Sequence, residues 1–367
     1  MIINNLKIFN FKNFIEKEFI FESGINLITA PNGKGKTNTL DAIRTMCYGR
    51  PLFTPKESDS INFISSNSEY PYIKIIMKWD SDSSHISSYT LSPNIKPIKS
   101  LVYDNVKKIQ RNFVGLFSVV WFSPETINII TSAPKQRREV LDAYFSQLSI
   151  DYLLSLQTYN KALDARNRFL KTNDKSTIYR FLSKYDEVLA REGEILLKIK
   201  LVLIKQLINE VSLSSIQQNR YKVDFLYVPN IGISQVFDEN IKAQILYQLE
   251  QSRHKDVLSK RTNTGPHRDD WTLLLTSSEN TYDLRMLGSR GQKRMGLLIF
   301  TLAIVSLLKQ EKGSNPVLLL DDVVSELDDE NVSLILNMLH KPNQQSIITS
   351  THKNILGLDS VNIIELK

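Results

Sequence analysis

Between a short apolar run, Ile25-Asn26-Leu27-Ile28, and a stretch of helical spacing from Thr37 to Tyr48, the chain carries Ala30-Pro31-Asn32-Gly33-Lys34-Gly35-Lys36-Thr37. A strand that stops in a Gly-rich turn and feeds a helix is the setting of a phosphate-binding loop, and few folds besides helix-covered parallel sheets provide it. Gly33 and Gly35 allow the backbone to curl so that successive N–H groups converge on phosphate oxygens. The helix beginning at Lys36-Thr37 adds the positive end of its dipole. In this reading Ala30 through Asn38 line a nucleotide, the Lys36 ammonium reaches the β- and γ-phosphates of ATP, and the Thr37 hydroxyl binds Mg²⁺. The first loop position holds Ala30 where the pattern GxxxxGK[ST] has glycine; alanine is the smallest replacement.

Such a loop needs a carboxylate to complete the magnesium site. Pro316-Val317-Leu318-Leu319-Leu320-Asp321-Asp322 supplies one: a continuous apolar run, as a central parallel strand requires, ending in two acids. Ligands of open α/β sheets collect at the carboxyl ends of strands. Asp321 is therefore expected on the metal and Asp322 beside the attacking water. These two halves of one site lie at opposite ends of the chain, while the middle changes period. Val140/Leu141, Tyr144/Phe145 and Leu148, then Leu153 to Leu163, then Tyr185 to Leu207 form helical stripes. Strand-like patterning returns near Tyr221 and after Gly265-Pro266. The expected fold is an α/β head, residues 1–133 and 262–367, split by a mainly helical arm over 134–261.

Charge follows the same division. Residues 134–261 carry 21 Lys and Arg against 15 Asp and Glu, six of the seven net positive charges of the chain. A basic helical block can serve a polyanion or simply be a solvated surface. Lys135, Arg137 and Arg138 cluster at one helix start, and Lys161, Arg166 and Arg168 lie on a later helix; the arginines 137, 138, 166 and 168 are the DNA-contact candidates. The single cysteine, Cys47, excludes an internal disulfide and fits a reducing compartment. No apolar run approaches the roughly 20 residues of a membrane span, and the amino terminus lacks a secretory pattern, so a cytoplasmic protein is expected. Trp121 and Phe122 read as core rather than as a base-stacking platform, and His267 as part of a turn.

Further motifs fill the interval between the acids and the loop. Leu287-Gly288-Ser289-Arg290-Gly291-Gln292 precedes an apolar helix, Ser325-Glu326-Leu327-Asp328 follows the acids, and Thr349-Ser350-Thr351-His352 follows the apolar pair Ile347-Ile348. The order resembles the ABC-type ATPases: Walker A loop, Ser-x-Gly-Gln signature, Walker B acids, D-loop and a switch histidine at His352. Asn10-Phe11-Lys12-Asn13-Phe14, Phe122-Ser123-Pro124-Glu125 and Gly265-Pro266-His267-Arg268-Asp269-Asp270 narrow the resemblance, over almost the whole chain, to the RecF family of SMC-related ATPases. That resemblance implies an ATP-dependent homodimer in which the signature of one protomer, Ser289, Arg290, Gly291 and Gln292, caps the nucleotide of the other. It implies binding to single-stranded, double-stranded and gapped DNA, and work with RecO and RecR in placing RecA for repair, replication restart and the SOS response. It also implies weak, DNA-stimulated ATP hydrolysis using Lys36, Asp322 and His352. No glutamine near Glu125 takes the place of the family's remaining magnesium contact. The alternatives left open are an SMC-like subunit of a nuclease or defence complex, and a clamp that binds ATP without hydrolysing it.

Overall fold

Strand β1 (Ile2–Phe11) buries Ile3, Leu6, Ile8 and Phe11, a set that does not keep strict alternation. A bulge between Ile3 and Asn5 resets the phase once, and Asn10, left-handed at φ 52°, resets it again before Phe11. This strand pairs antiparallel with β2 (Phe14–Ile20) and β4 (Ile73–Asp80). The sheet continues through β5 (Ser84–Ser92), β6 (Ile98–Tyr103) and β7 (Val106–Lys108), giving the order β2-β1-β4-β5-β6-β7. A second sheet is wholly parallel and contains β3 (Ile25–Thr29), β8 (Val119–Phe122), β12 (Val317–Asp321), β13 (Ser346–Ser350) and β14 (Asn362–Glu365), in the order β14-β3-β13-β12-β8. Val317 to Leu320 are fully buried, the expected state of a central parallel strand.

The two sheets are stitched by one side chain. Gln345, immediately before β13, accepts from the Ile3 N–H (2.7 Å) and donates to the carbonyls of Ile3 (2.8 Å) and Glu22 (2.9 Å). The helix Lys36–Tyr48 buries Leu40, Ile43, Met46 and Cys47 and ends at Gly49, left-handed at φ 59°. Cys47 is enclosed, its thiol donates to the Phe117 carbonyl (3.1 Å), and burial pushes its pKa far up, so it is an inert packing group. Trp121 is buried edge-on to Tyr48, as core.

The computed structural model describes all residues except 53, 55, 67–70, 81–82, 93–97, 217–221, 232–239, 278–279, 323–338, 340–342, 352–360 and 367. Its chain forms two compact units, residues 1–128 with 297–367, and residues 129–296. The second unit holds the helices Pro134–Leu148, Ile150–Thr172, Lys175–Phe181, Ser183–Ile216 and Ile241–Ser259. It also holds a three-stranded antiparallel sheet, β11 (Asn280–Asp283), β10 (Asp270–Ser277) and β9 (Lys222–Val228). The boundary expected at 261/262 falls between β9 and β10, which pair along their length from Asp270↔Val228 to Thr276↔Lys222. The compact unit accordingly runs on to Gly296. The helix Ile241–Ser259 falls within the arm expected to be mainly helical; its buried stripe is narrow, Ile241, Ile245 and Leu249 at steps of four.

The helix Arg290–Lys312 contains the apolar helix expected after the Ser289–Gln292 motif. Among the described residues it alone is long and apolar enough to cross a bilayer, yet 72% of its apolar window is buried within the protein, as in a core helix.

Candidate nucleotide site

Parallel pairing brings the carboxyl ends of three strands into line. Thr29 of β3 lies opposite Ser350, and Thr349 of β13 lies opposite Asp321 of β12. The Gly-rich loop leaves β3 at this edge. Gly33 (φ 81°) and Gly35 (φ 102°) are both left-handed, so the turn uses them as the sequence predicts. Gly35 has a second reason to be glycine: a Cβ there would stand 2.5 Å from the Asn13 amide and 2.7 Å from the Phe14 ring. The β1–β2 turn therefore buttresses the loop. Asn13 also accepts from Asn38 Nδ2 at 2.7 Å, a supporting role that Asn13 does not reveal in sequence. Ala30 is buried and its N–H donates to the Ser350 carbonyl (3.3 Å), whereas Pro31, Asn32, Gly33 and Lys34 are exposed.

Lys36 opens the helix with its ammonium folded back into the loop. It donates to the carbonyls of Ala30 (2.7 Å) and Pro31 (3.3 Å) and to Asn32 Oδ1 (3.4 Å). These are neutral acceptors, and a phosphate oxygen offers a charged one, so the cation is held where an anion can recruit it. Thr37 faces outward, and its hydroxyl donates to Asp321 Oδ2 at 2.7 Å although 284 residues separate them. Asp321 also accepts from the Thr349 hydroxyl. A hydroxyl and a carboxylate side by side are hard oxygen donors of the kind Mg²⁺ uses, with phosphate and water completing its shell. Among the described residues there is no group of three or more His, Cys, Asp or Glu able to hold a metal without such help.

Asp322 follows in left-handed conformation at φ 44°. Its N–H is held by the Thr349 carbonyl (3.1 Å) and hydroxyl (3.0 Å), which fixes the turn that sets it apart from Asp321. Thr349 thus organises both acids; sequence reading notes it only as a neighbour of His352. His352 and the D-loop residues Ser325, Glu326, Leu327 and Asp328 lie outside the described residues.

In the second unit, Ser289 and Gln292 form a reciprocal cap at the start of the helix Arg290–Lys312. The Gln292 N–H donates to Ser289 Oγ (3.2 Å), and the Ser289 N–H donates to Gln292 Oε1 (2.9 Å). This arrangement leaves the serine proton available to an outside acceptor. Arg290 and Gly291 are exposed, and a Cβ on Gly291 would touch nothing within 4 Å.

The DNA-contact candidates divide. Arg166 is fully buried, donating to Asp186 (2.8 Å), Asp256 (2.8 Å) and the Thr262 hydroxyl (2.8 Å). Arg137 is buried too, in a two-bond pair with Asp270 (2.7 Å each). These two are corrected to internal ion pairs: a guanidinium enclosed by carboxylates presents nothing to a phosphate. Arg138 is half-buried on the Asp269 carbonyl (2.6 Å), and Arg168 alone of the four is exposed. The Gly265–Asp270 motif is the structural hub of this unit. His267 bonds to the Tyr159 hydroxyl (2.7 Å), and burial drives its pKa down to about 3, so it is a neutral turn residue. Asp269 accepts from Tyr227 and from the Asn230 N–H.

Comparison with known proteins now bears on the whole chain. Residues 2–364 match the family described as RecF/RecN/SMC N terminal domain. Over 358 residues the chain is 35% identical to the DNA replication and repair protein RecF of Caldanaerobacter subterraneus subsp. tengcongensis, covering 96% of this chain and 95% of that protein. This chain belongs to the RecF family. The RecF of Clostridium tetani is 33% identical over 354 residues, covering 96% of this chain and 93% of the relative. A solved RecF structure described as the recombination mediator protein RecF-ATPrS in the RecFOR pathway superposes with a TM-score of 0.85 at 32% identity, covering 99% of this chain and 97% of the other. The RecF-ATP counterpart gives 0.82 at 32% identity, covering 98% and 96%. An Smc head domain from Pyrococcus furiosus shares the fold, with a TM-score of 0.51 at 15% identity over 96% of this chain and 90% of that one.

Proposed function

We propose that this RecF-family chain is an ATP-dependent DNA-binding repair protein that dimerises with ATP at gaps and acts with RecO and RecR to place RecA, in support of replication restart and the SOS response. The observation that carries its ATP chemistry is the meeting of Thr37 with Asp321 at the end of the parallel sheet. The names of the solved relatives, RecF-ATP and RecF-ATPrS, support the same reading. Lys36 exchanges its loop carbonyls for β- and γ-phosphate oxygens. Thr37 and Asp321 would hold Mg²⁺, which would neutralise charge on those phosphates. Asp322, set apart by its left-handed turn, orients the attacking water, and the family resemblance assigns His352 and the D-loop to the same hydrolysis. The protein works in the cytoplasm.

Asp322→Asn protein is expected to bind magnesium-ATP as wild type does, because Asp321 is untouched, and to accumulate as an ATP-bound dimer. Its hydrolysis, followed by phosphate release, should fall at least tenfold, in line with loss of one positioned proton acceptor. Turnover at the wild-type rate removes Asp322 from the reaction.

The shared site is tested by mixing two inactive proteins. Ser289→Arg leaves Lys36, Thr37 and Asp321 intact but replaces the small capping donor with a bulky cation. Lys36→Ala spoils the loop and spares the signature. In a heterodimer of the two, one site keeps an intact loop facing an intact signature, and the other carries both defects. Hydrolysis in the mixture above that of either protein alone is the expected result. A mixture that forms heterodimers yet gains no activity overturns the composite site and favours a monomeric ATPase.

A further inference from the structure

The basic excess of the middle of the chain is concentrated at one place. From residue 165 to 184 the sequence holds six cations and one acid, Asp174. The buried Arg166 is spent on Asp186 and Asp256. The other five, Arg168, Lys171, Lys175, Arg180 and Lys184, are all exposed, and none forms an ion pair among the described residues. A solvated helix face of mixed charge normally pairs its cations at three- or four-residue steps, as Lys198 does with Glu194 elsewhere in this unit. Here that pairing is missing: the one acid of the segment is a helix cap. Asp174 caps the helix Lys175–Phe181, accepting from Ser176 Oγ (2.5 Å), from the Thr177 N–H (3.0 Å) and from the Thr177 hydroxyl (2.6 Å). Its pKa is held well below the usual carboxylate range by those hydrogen bonds. Of the flanking acids, Glu187 is paired with Lys242 (3.2 Å), and Asp164, although four residues before Arg168, forms no ion pair with it.

The fold gathers these charges instead of spreading them. Leu170, Ile178, Leu182 and Val257 form a small core of their own, which pins the end of one long helix, the short helix and the start of the next long helix together. A hydrogen bond from the Thr262 N–H to Asn167 Oδ1 (2.7 Å) ties the segment carrying the exposed Arg261 to the same long helix. Two aromatic rings stand among the cations. Tyr179 is 45% exposed and Phe181 37% exposed, with the Arg180 guanidinium 5.1 Å and the Lys184 ammonium 5.4 Å from the Phe181 ring centre. Unpaired cations for phosphates, beside exposed rings on which bases can stack, are the two parts of a site for an unpaired nucleic-acid strand. A duplex would use the charges but would keep its bases from the rings.

We propose that this helical turn, centred on Arg180 and Phe181, is a docking surface for single-stranded DNA, separate from the nucleotide site. The inference rests on the DNA-binding reading above and adds to it the place at which an unpaired strand would dock.

The test uses the full-length protein with magnesium-ATP and a fluorescein-labelled oligothymidine, with anisotropy followed over a range of salt. Replacing Arg168, Lys171, Arg180 and Lys184 together by glutamine should weaken binding by roughly tenfold or more at low salt. It should also flatten the slope of log affinity against log salt by about 3, at roughly 0.7 per phosphate contact on a single strand. ATP affinity and melting temperature should stay at the wild-type values. Tyr179→Ala, with every cation kept, should weaken oligothymidine several-fold, leave the salt slope unchanged, and affect a duplex of equal length much less. Should the fourfold variant melt early, Arg180→Gln alone decides by its own slope change of about 0.7. Wild-type affinity and slope in these variants overturn the surface while the DNA-binding reading stands. A wild-type protein that ignores oligothymidine and duplex alike overturns that reading, and this surface with it.

Discussion

Lys36→Ala protein is expected to lose stable ATP binding while folding normally. The ammonium makes no contact with the sheet core; its partners are Ala30, Pro31 and Asn32 of its own loop. Its removal therefore leaves β3 and the helix behind it packed as before. With nucleotide present, the loss is a charge-assisted contact to phosphate, about 1.5–3 kcal/mol, or roughly ten- to hundredfold in affinity. Titration calorimetry reads the affinity and a thermal melt reads the fold. Equal ATP affinity in the two proteins would sink the assignment of this loop, whatever the melt showed.

Arg166→Ala is expected to have the largest effect on stability of any change to a charged side chain in residues 129–296. The guanidinium is fully buried between Asp186 and Asp256, and Asp186 also holds Arg253 (3.0 Å). Deleting it strands Asp256 without a countercharge and leaves Asp186 half-served. Breaking a buried pair in this way costs about 3–5 kcal/mol, because Asp256 keeps only neutral hydrogen bonds, such as those of Asn263, against its buried charge. Urea unfolding followed by circular dichroism should show that loss. A variant as stable as wild type but weak on DNA would return Arg166 to the DNA-contact role that its burial denies it.

Arg166 also marks where sequence reading reaches its limit. Helical spacing placed it on a charged helix, correctly, but spacing does not say which face is covered. Its partners Asp186 and Asp256 lie 20 and 90 residues away, and only tertiary packing brings them in. Arg137 is the same case, its partner Asp270 being 133 residues distant. By contrast, the loop at Ala30–Thr37 and the acids after Leu320 were legible because each is written in consecutive residues with a strand before it. Their meeting followed from the rule that ligands gather at strand ends. Asn13 and Thr349 were not legible as site residues: one buttresses Gly35 from a neighbouring turn and the other orders the acids from an adjacent strand.

Gln345 has a mechanical consequence. Its amide satisfies two backbone groups of β1, at Ile3, and one of the segment after β2, at Glu22, while its own chain runs directly into β13. Freeing those buried groups would cost about 1–3 kcal/mol each, so β1 and β13 behave as a riveted pair. The far end of β13 is Thr349, which grips both acids. Slippage of β13 against β1 would have to break these bonds, so the strand that carries Thr349 is held in register with the antiparallel sheet. The antiparallel sheet thus meets the site twice, through Gln345 before β13 and through Asn13 against Gly35 of the loop.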